Sequence, residues 1–467
     1  MTVAYLFRND LRLHDQVGLQ NAIALARQSQ QGLLHLVCRP DFEERTPWGF
    51  LRWSGLRQAW WHSAVRWLAR EIEQAGGSLL VCAEPSHVSL PLLLSQLPIS
   101  VLMCEDICAP EERQELALIG SLLRAHGGRI ETHWQSSLLD PRDLPWSCAD
   151  LPPVFTDFRK RLEAEGICPP QPLPTVRNFP PSPDLSALQG NLVLMDDEHV
   201  AALARNKVSL EVRQRSSFPF DPDAELRSDR VGNFFAWSGA ERSALLHLER
   251  YFAAGLAHSY KRTRNGLTGT DYSSKWSPWL ATGALSARLA FAALREFEAK
   301  HGANEGTYWL WFELLWRDYF RFLHLQYGDR LSQLYRYRGL QEQFVPGEQI
   351  RDVNASHNQA LQAWCEGNTG VELIDAGMRE LKTTGYLSNR LRQVVASYLI
   401  YDLELDWRAG AAWFEAQLLD YDVYSNQGNW LYIAGRGTDP RGGRRFNIEK
   451  QQREHDVDRS YRQMWLS

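Results

Sequence analysis

Between Gly385 and Tyr432 the chain concentrates residue types able to grip a large polar aromatic ligand. The segment GYLSNRLRQ reads as a helix start that puts Asn389, Arg392 and Gln393 at i, i+3 and i+4, on one face. The segment DYDVYSNQGNWLY then carries Asp420, Asp422, Asn426, Trp430 and Tyr432. An arginine, two carboxylates and amides would suit a heteroaromatic ring with donors and acceptors around its edge. A buried salt bridge between two helices would use the same residues.

Two more clusters precede these. YKRTR, from Tyr260 to Arg264, is followed by DYSSKWSPWLATGALS, in which Ser273, Ser274 and Ser277 offer hydroxyls and Lys275 a cation just before a helix start. That pattern fits a phosphate site, and it equally fits an ordinary serine cap. In WLWFELLWRDYF, Glu313 and Arg317 stand at i, i+4 beside Trp316. Such a pair is commonly a surface salt bridge. Here the helix is apolar on nearly every face, so it is expected to be buried, and its carboxylate then needs a partner or a ligand.

The elements that must position these groups fall into two halves. VAYLF, LLHLVC, SLLVC, ISVLMC and RIETHW read as strands, with helix-like stretches between them such as Gly55 to Gly76 and Glu111 to Gly127. This alternation predicts an α/β domain over residues 1–133, a doubly wound parallel sheet with helices on both faces. FRNDLRLHD follows the first strand where a dinucleotide-binding domain would carry G-x-G-x-x-G. Residues 134–200 are expected to be a connector, because eleven of the 22 prolines lie between Pro141 and Pro183. Helical periodicity dominates from 201 to 467, as in Trp309 to Leu325 and Leu391 to Leu403, and predicts an all-α domain.

Composition narrows the classes. A chain of 467 residues needs more than one core. Its 44% hydrophobic and 23% charged residues are those of a globular protein, and no apolar run is long enough for a bilayer. Met1 leads into TVAYLF without a basic n-region, and the seven scattered cysteines suggest no disulfide framework, so a cytoplasmic protein is expected. It is also expected to be a monomer. With no cysteine after Cys365, a cysteine-held iron–sulfur cluster is excluded from the last hundred residues. No metal site is expected. The net charge of −5 does not announce a nucleic-acid binder, but the segment from Arg436 to Arg462 holds seven arginines and Lys450 against five acids. That run could be a nucleic-acid face or a solvated surface. The 18 tryptophans could serve packing, stacking or electron transfer.

FRNDLRLHD, YSSKWSPWLATGALS, FELLWRDYFRF, NRLRQVVAS, LDYDVYSNQGNW and RRFNIEKQ occur in this order along the chain. With these motifs the sequence resembles the photolyase/cryptochrome family, in its cryptochrome DASH branch, from about residue 3 to 466. The resemblance implies an N-terminal antenna-type domain and a C-terminal helical domain holding bent FAD. It places Tyr260, Ser273, Ser274, Lys275, Trp276 and Ser277 at the FAD phosphates and ribityl chain. Arg392 and Asp420 match an ion pair beside the isoalloxazine, Asp422 an acid near its polar edge, and Asn426 the residue facing flavin N5. Glu313, Trp316, Tyr386, Asn389, Arg390, Gln393 and Tyr432 match the walls of a cavity for a flipped pyrimidine dimer. Arg264 and Gln451 match backbone contacts at its rim. Glu105 matches a contact to an antenna pterin of the folate (methenyltetrahydrofolate) type.

The implied activity is blue-light-driven repair of cyclobutane pyrimidine dimers by electron transfer from excited reduced flavin. A dimer must leave the stack to reach a buried flavin, and the cavity then needs aromatic walls and a few polar groups. Tyr386 and Tyr432 stand where photolyases acting on duplex DNA have tryptophans, and Gln393 where they have methionine. Weaker stacking offsets less of the cost of opening a duplex, which favours single-stranded DNA. Ser388 stands where (6-4) photolyases have a histidine. The chain ends at Ser467, directly after the last motif, so no signalling tail of the plant or animal cryptochrome type is expected. Trp430 and Trp407 match the inner two tryptophans of the family's electron relay; the outer position falls on Asn354, after Val353, and neither can be oxidised. A blue-light receptor that binds nucleic acid or a regulator without repair is the alternative function, and a flavin-storing helical protein a third.

Overall fold

The computed structural model describes residues 2–186, 188, 192–194, 215–222, 237–331, 355–437 and 442–467. Strands β1 (Thr2–Phe7), β2 (Gly32–Cys38), β3 (Leu79–Cys82), β4 (Ile99–Glu105) and β5 (Arg129–His133) alternate with helices α1 (Val17–Ser29), α2 (Gly55–Gln74), α3 (Ser86–Gln96) and α4 (Pro110–Ala125). The strands pair in parallel in the order β5-β4-β1-β2-β3. Alternate residues of β1 feed separate cores. Val3, Tyr5 and Phe7 pack with Leu19 and Ile23 of α1 and Val65 and Leu68 of α2. Ala4 and Leu6 pack with Leu90 and Leu93 of α3 and Leu123 of α4. Burial on both faces is why the strands read as continuous apolar runs.

The connector does more than link. Its segment β6 (Leu192–Leu194) adds a sixth, antiparallel strand beside β3, which the sequence reading did not include. The backbone N–H groups of Leu138 and Leu139 donate to the two oxygens of Asp318, at 3.0 and 2.8 Å. Helix α5 (Phe155–Ala164) packs Phe155, Phe158 and Leu162 into the core of the helical half.

The helical half contains α6 (Glu241–Ala253), the single turn α7 (Tyr260–Thr263), α8 (Ser277–Thr282), α9 (Ala287–His301), α10 (Glu305–Tyr327), α11 (Ala355–Glu366), α12 (Glu372–Thr384), α13 (Asn389–Tyr401), α14 (Trp407–Gln417), α15 (Val423–Ile433), α16 (Ile448–His455) and α17 (Ser460–Leu466). Helix α10 starts at a reciprocal cap. Asn304 Oδ1 accepts from Thr307 N at 3.1 Å, and Thr307 Oγ1 accepts from Asn304 N at 3.0 Å. As expected, α10 runs through the core, with Leu310, Leu314, Leu315, Tyr319, Phe320 and Phe322 all buried.

FRNDLRLHD joins the halves. Arg12 donates to the Gly283 carbonyl at 2.9 Å, His14 pairs with Glu241 at 2.5 Å, and Asp15 binds Arg288 at 2.9 Å. All seven cysteines are free. Among the described residues no helix is long and apolar enough to cross a membrane, and no group of three or more His, Cys, Asp or Glu could hold a metal.

Candidate active site

Helices α13, α14 and α15 wall a cavity lined by Asn389, Arg392, Gln393, Asp420, Asn426 and Trp430, among others. Local chemistry sets up each wall. Gly385 ends α12 with φ +70°, a left-handed turn that favours glycine. Its carbonyl accepts from Leu419 N at 2.9 Å, which brings the Asp420 segment beside α13. Ser388 caps α13 by accepting from Leu391 N, so Asn389 is the first helical residue, and Arg392 and Gln393 lie one turn on.

Arg392 Nη2 meets Asp420 Oδ2 at 2.8 Å, and its Nε donates to the Leu387 carbonyl at 2.8 Å. Burial works against this guanidinium, but Asp420 together with Tyr386 and Tyr272 outweighs it and the pKa is raised. The other Asp420 oxygen is buried without a hydrogen-bond partner. Asn426 donates from Nδ2 to the Ala411 carbonyl at 3.0 Å, which fixes the amide and leaves Oδ1 as an acceptor. Trp430 lies edge to face with Phe414 at 5.2 Å and with Trp364 at 6.4 Å. Trp407 is buried at the start of α14 with its indole N–H unpartnered.

Lys275 is buried with φ +57°, its amine 3.3 Å from the Tyr272 ring centroid and 4.7 Å from that of Tyr386. The amine has no hydrogen-bond partner. Burial holds its pKa well below the usual lysine range, with Glu380 opposing. An anion brought beside it would restore the charge. Ser273 and Ser274 are half-buried nearby, while Ser277, first residue of the six-residue α8, is exposed. Trp276 sends its ring into the core against Tyr251 at 5.4 Å, and Tyr260 is buried at the start of α7.

Glu313 and Trp316 of α10 are half-buried. Glu313 is ion-paired with Arg264, and Arg390 donates to Asn265 at 3.1 Å and to Gln393 at 3.3 Å. Trp316 stacks on Phe155 at 3.8 Å and meets Tyr432 edge to face at 5.9 Å. Arg444 donates to the Tyr432 hydroxyl and lies over its ring at 4.6 Å. Neither Phe155 nor Arg444 was picked out from sequence. Phe155 lies in the proline-rich connector, and Arg444 was one arginine in a long charged run.

Several expected placements change. Tyr386 is only 5% exposed and stacks on Phe218 at 5.1 Å, so it braces Lys275 and Arg392 and is no wall of the open cavity. Gln451, expected at the rim, is 7% exposed with its amide oxygen buried and unpartnered. Asp422 lines the cavity, but its oxygens are taken by the α15 cap at Ser425 N, 2.8 Å, and by Arg321 at 3.0 Å. Burial would raise this carboxyl; Arg321 and Arg317 reverse that and lower it. Glu105, 1% exposed at the end of β4, faces Arg321 at 3.8 Å with Oε2 unpartnered. Burial and Asp10 push its pKa up to about 7. Much of the arginine-rich run is spent on ion pairs, Arg445 with Asp402, Arg459 with Glu372 and Arg462 with Asp456. The outer relay position, Val353 and Asn354, lies outside the described residues.

Residues 309–467 match the family model of the FAD binding domain of DNA photolyase, and residues 3–178 that of DNA photolyase. Cryptochrome DASH of Gloeobacter violaceus is 38% identical over 100% of this chain and 85% of its own length. Cryptochrome DASH of Xenopus laevis is 38% identical over 99% of this chain and 82% of its own. The chain belongs to the photolyase/cryptochrome family, in its cryptochrome DASH branch. A crystal structure of Synechocystis sp. PCC6803 cryptochrome covers 100% of this chain with TM-score 0.83 at 35% identity. A class III photolyase from Agrobacterium tumefaciens shares the fold, with TM-score 0.75 at 24% identity. FAD is thus the cofactor of this chain's helical half. The unpartnered Asp420 oxygen, the Lys275 amine without a hydrogen-bond partner and the Asn426 Oδ1 are groups that such a ligand would satisfy.

Proposed function

We propose that this protein repairs cyclobutane pyrimidine dimers under blue light and prefers single-stranded DNA. The observation that carries this reading is a half-buried carboxyl, Glu313, on the same helix as Trp316, which meets Tyr432 edge to face at 5.9 Å. In this reading residues 1–133 form the antenna domain, 134–200 the connector and 201–467 the catalytic domain. Reduced FAD, when bound and excited, supplies the electron that splits the cyclobutane ring and takes it back. The protein's share is to bind and orient. Lys275, Tyr260, Ser273, Ser274 and Ser277 would hold phosphates and the ribityl chain, with Trp276 contributing backbone. Arg392 and Asp420 would flank the isoalloxazine, and Asn426 would accept a hydrogen bond from N5.

Trp316 and Tyr432 would stack on the flipped bases, and Glu313, Asn389 and Gln393 would meet their polar edges. Arg264, Arg390 and Arg444 supply charge for the backbone. Tyr432 and Gln393 still motivate the single-strand preference; Tyr386 no longer does. An antenna of the folate type is supported by the unpartnered Glu105 oxygen. A large cavity lined by Ile107, Trp53, Arg57 and Tyr421 among others offers room for its ring, although Glu105 itself does not line it.

The test compares illuminated repair of matched single-stranded and linear duplex oligonucleotides, each with one dimer. Equal repair of both would remove the preference, and no repair of either would favour a photoreceptor. Glu313→Ala is expected to lower repair by about 1–3 kcal/mol of lost stabilisation with FAD content unchanged. Loss of flavin would move Glu313 into the cofactor's shell.

A further inference from the structure

A chain of touching aromatic rings runs from α15 to the start of α10. Tyr432 meets Trp316 at 5.9 Å, Trp316 stacks on Phe155 at 3.8 Å, Phe155 meets Phe312 at 5.0 Å, and Phe312 meets Trp309 at 4.5 Å. Trp309, Phe312 and Trp316 share one side of α10 because they are spaced by three and four residues. Phe155 is buried and anchors the chain. Trp309 and Phe312 are half-buried, and Tyr308 beside them is 38% exposed. The outer end of the chain is therefore at the surface.

Cations gather at that outer end. The Lys261 amine lies 5.8 Å and the Arg264 guanidinium 4.7 Å from the Trp309 ring centroid. Arg159 of α5 lies 5.8 Å from the centroid of Phe312. Arg262, next to Lys261 in α7, is exposed. Carboxylates stand against two of these cations, Glu305 against Lys261 at 2.8 Å and Glu163 against Arg159 at 2.7 Å. Glu305 is 79% exposed, and a pair so placed contributes little, so a phosphate can take Lys261 from it at small cost.

Surface rings interleaved with cations suit one ligand class. Unpaired bases stack on aromatic faces whatever their sequence, and the phosphates between them lie against Lys and Arg. Bases in a duplex are already paired and stacked and do not reach such a ring. We propose that Trp309 is a stacking platform for an unpaired base outside the dimer, with Lys261 and Arg262 taking the adjoining phosphates. This rests on the reading above, in which single-stranded DNA sets its dimer against Trp316 and Tyr432. Two helical turns separate Trp309 from Trp316, about 10 Å. A stacked strand covers that span in about three nucleotides. The base on Trp309 is therefore about three nucleotides from the dimer, and on one side of it only. The platform gives the single-strand preference a source besides Tyr432 and Gln393, a flanking base that a duplex withholds.

The experiment scans the DNA. FAD-loaded protein in the dark is titrated with single-stranded oligonucleotides carrying one dimer, in which each flanking nucleotide in turn is made abasic. The phosphate stays, so only stacking is lost, and the scan on wild type needs no variant to fold. One position, about three nucleotides from the dimer, should weaken binding by about fivefold to about a hundredfold. Trp309→Ala should weaken the intact strand by a similar factor and abolish the effect of that abasic position, since both changes remove one contact. Trp309→Phe, which keeps a ring against Phe312, should retain most of the affinity and the abasic effect. Arg262→Ala should keep the abasic effect and lower the slope of log affinity against log salt by about 0.7. Linear duplex should bind wild type and Trp309→Ala alike, so the variant narrows the single-strand preference. A scan with no sensitive flanking position, or one whose sensitive position survives in folded, FAD-loaded Trp309→Ala, would overturn the platform and leave lesion-selective binding, and with it the repair reading, intact. Equal binding of damaged and undamaged strands would overturn the repair reading, and the platform would then fall if Trp309→Ala bound undamaged single strands as tightly as wild type.

Discussion

Asn426 owes its orientation to a single donation, from Nδ2 to the Ala411 carbonyl. Asn426→Asp removes that donor, sets a carboxylate against a carbonyl and adds charge to the flavin pocket. The visible absorption spectrum through photoreduction is expected to change while FAD content stays near normal. An unchanged spectrum would take Asn426 out of this role. Arg392 and Asp420, 28 positions apart, were named as a pair by the resemblance and not by spacing, and the ion pair is present. The place of Tyr386 was not legible in the sequence. A tyrosine suits a stacking wall and a buried brace alike, and the choice was made by Phe218, distant in sequence, stacking on its face.

Helices α10 and α15 meet where Gly428 has no side chain. A Cβ there would lie 2.1 Å from the Phe320 ring, and Phe320 is buried. Gly428→Ala should therefore push the helices apart at a cost of about 1–3 kcal/mol, seen as a lower melting temperature and weaker FAD retention. Gly410 of α14 does the same for Trp430, whose ring a Cβ would approach within 2.2 Å. The start of α15 is pinned by Asp422, both cap and partner of Arg321. Its pKa is lowered on folding, so its contribution is complete above the unfolded value of about 4 and is lost as pH falls through the folded value. Asp422→Asn keeps a capping side chain but leaves Arg321 short of a counter-charge, an expected loss of about 3 kcal/mol near neutral pH. The gap to wild type should narrow in urea denaturation at about pH 3. A gap that does not depend on pH would mean the charge contributes nothing.

Across the whole molecule, Arg321 of α10 stands between Glu105 of the sheet domain and Asp422 of the flavin wall. The halves thus share a buried charge network next to the cofactor pocket. Electron supply is a property of the same scale. Each relay step carries positive charge farther from the flavin and slows its return. Trp430 and Trp407, the inner two tryptophans expected from the resemblance, are buried, whereas Asn354 stands where the outer one is expected. Tyr401 could substitute, but its hydroxyl donates to the Ile433 carbonyl at 2.8 Å, which is no proton acceptor strong enough to drive its oxidation. Photoreduction should be inefficient in wild type, and Asn354→Trp should raise the yield of long-lived radical after a flash. Full yield in wild type, surviving Tyr398→Phe and Tyr401→Phe, would require another exit route.

The sequence alone determined the two-part architecture, the family and the cofactor. Five apolar runs between amphipathic helices admit a doubly wound sheet, and ordered motifs with their spacings persist whatever packs around them. Gly385, Ser388 and Asn304 acted locally, and local backbone preference is written residue by residue. What only the tertiary structure decided was which polar groups are already satisfied. Asp422 and Glu105 look equally available in sequence, yet one is consumed by a cap and Arg321 while the other keeps an orphan oxygen. Arg264 and Glu313 lie forty-nine positions apart and became partners only when α7 was laid against α10. Hydrogen bonds and ion pairs are short-ranged, so their pairing follows from how helices cross, and periodicity carries no record of that.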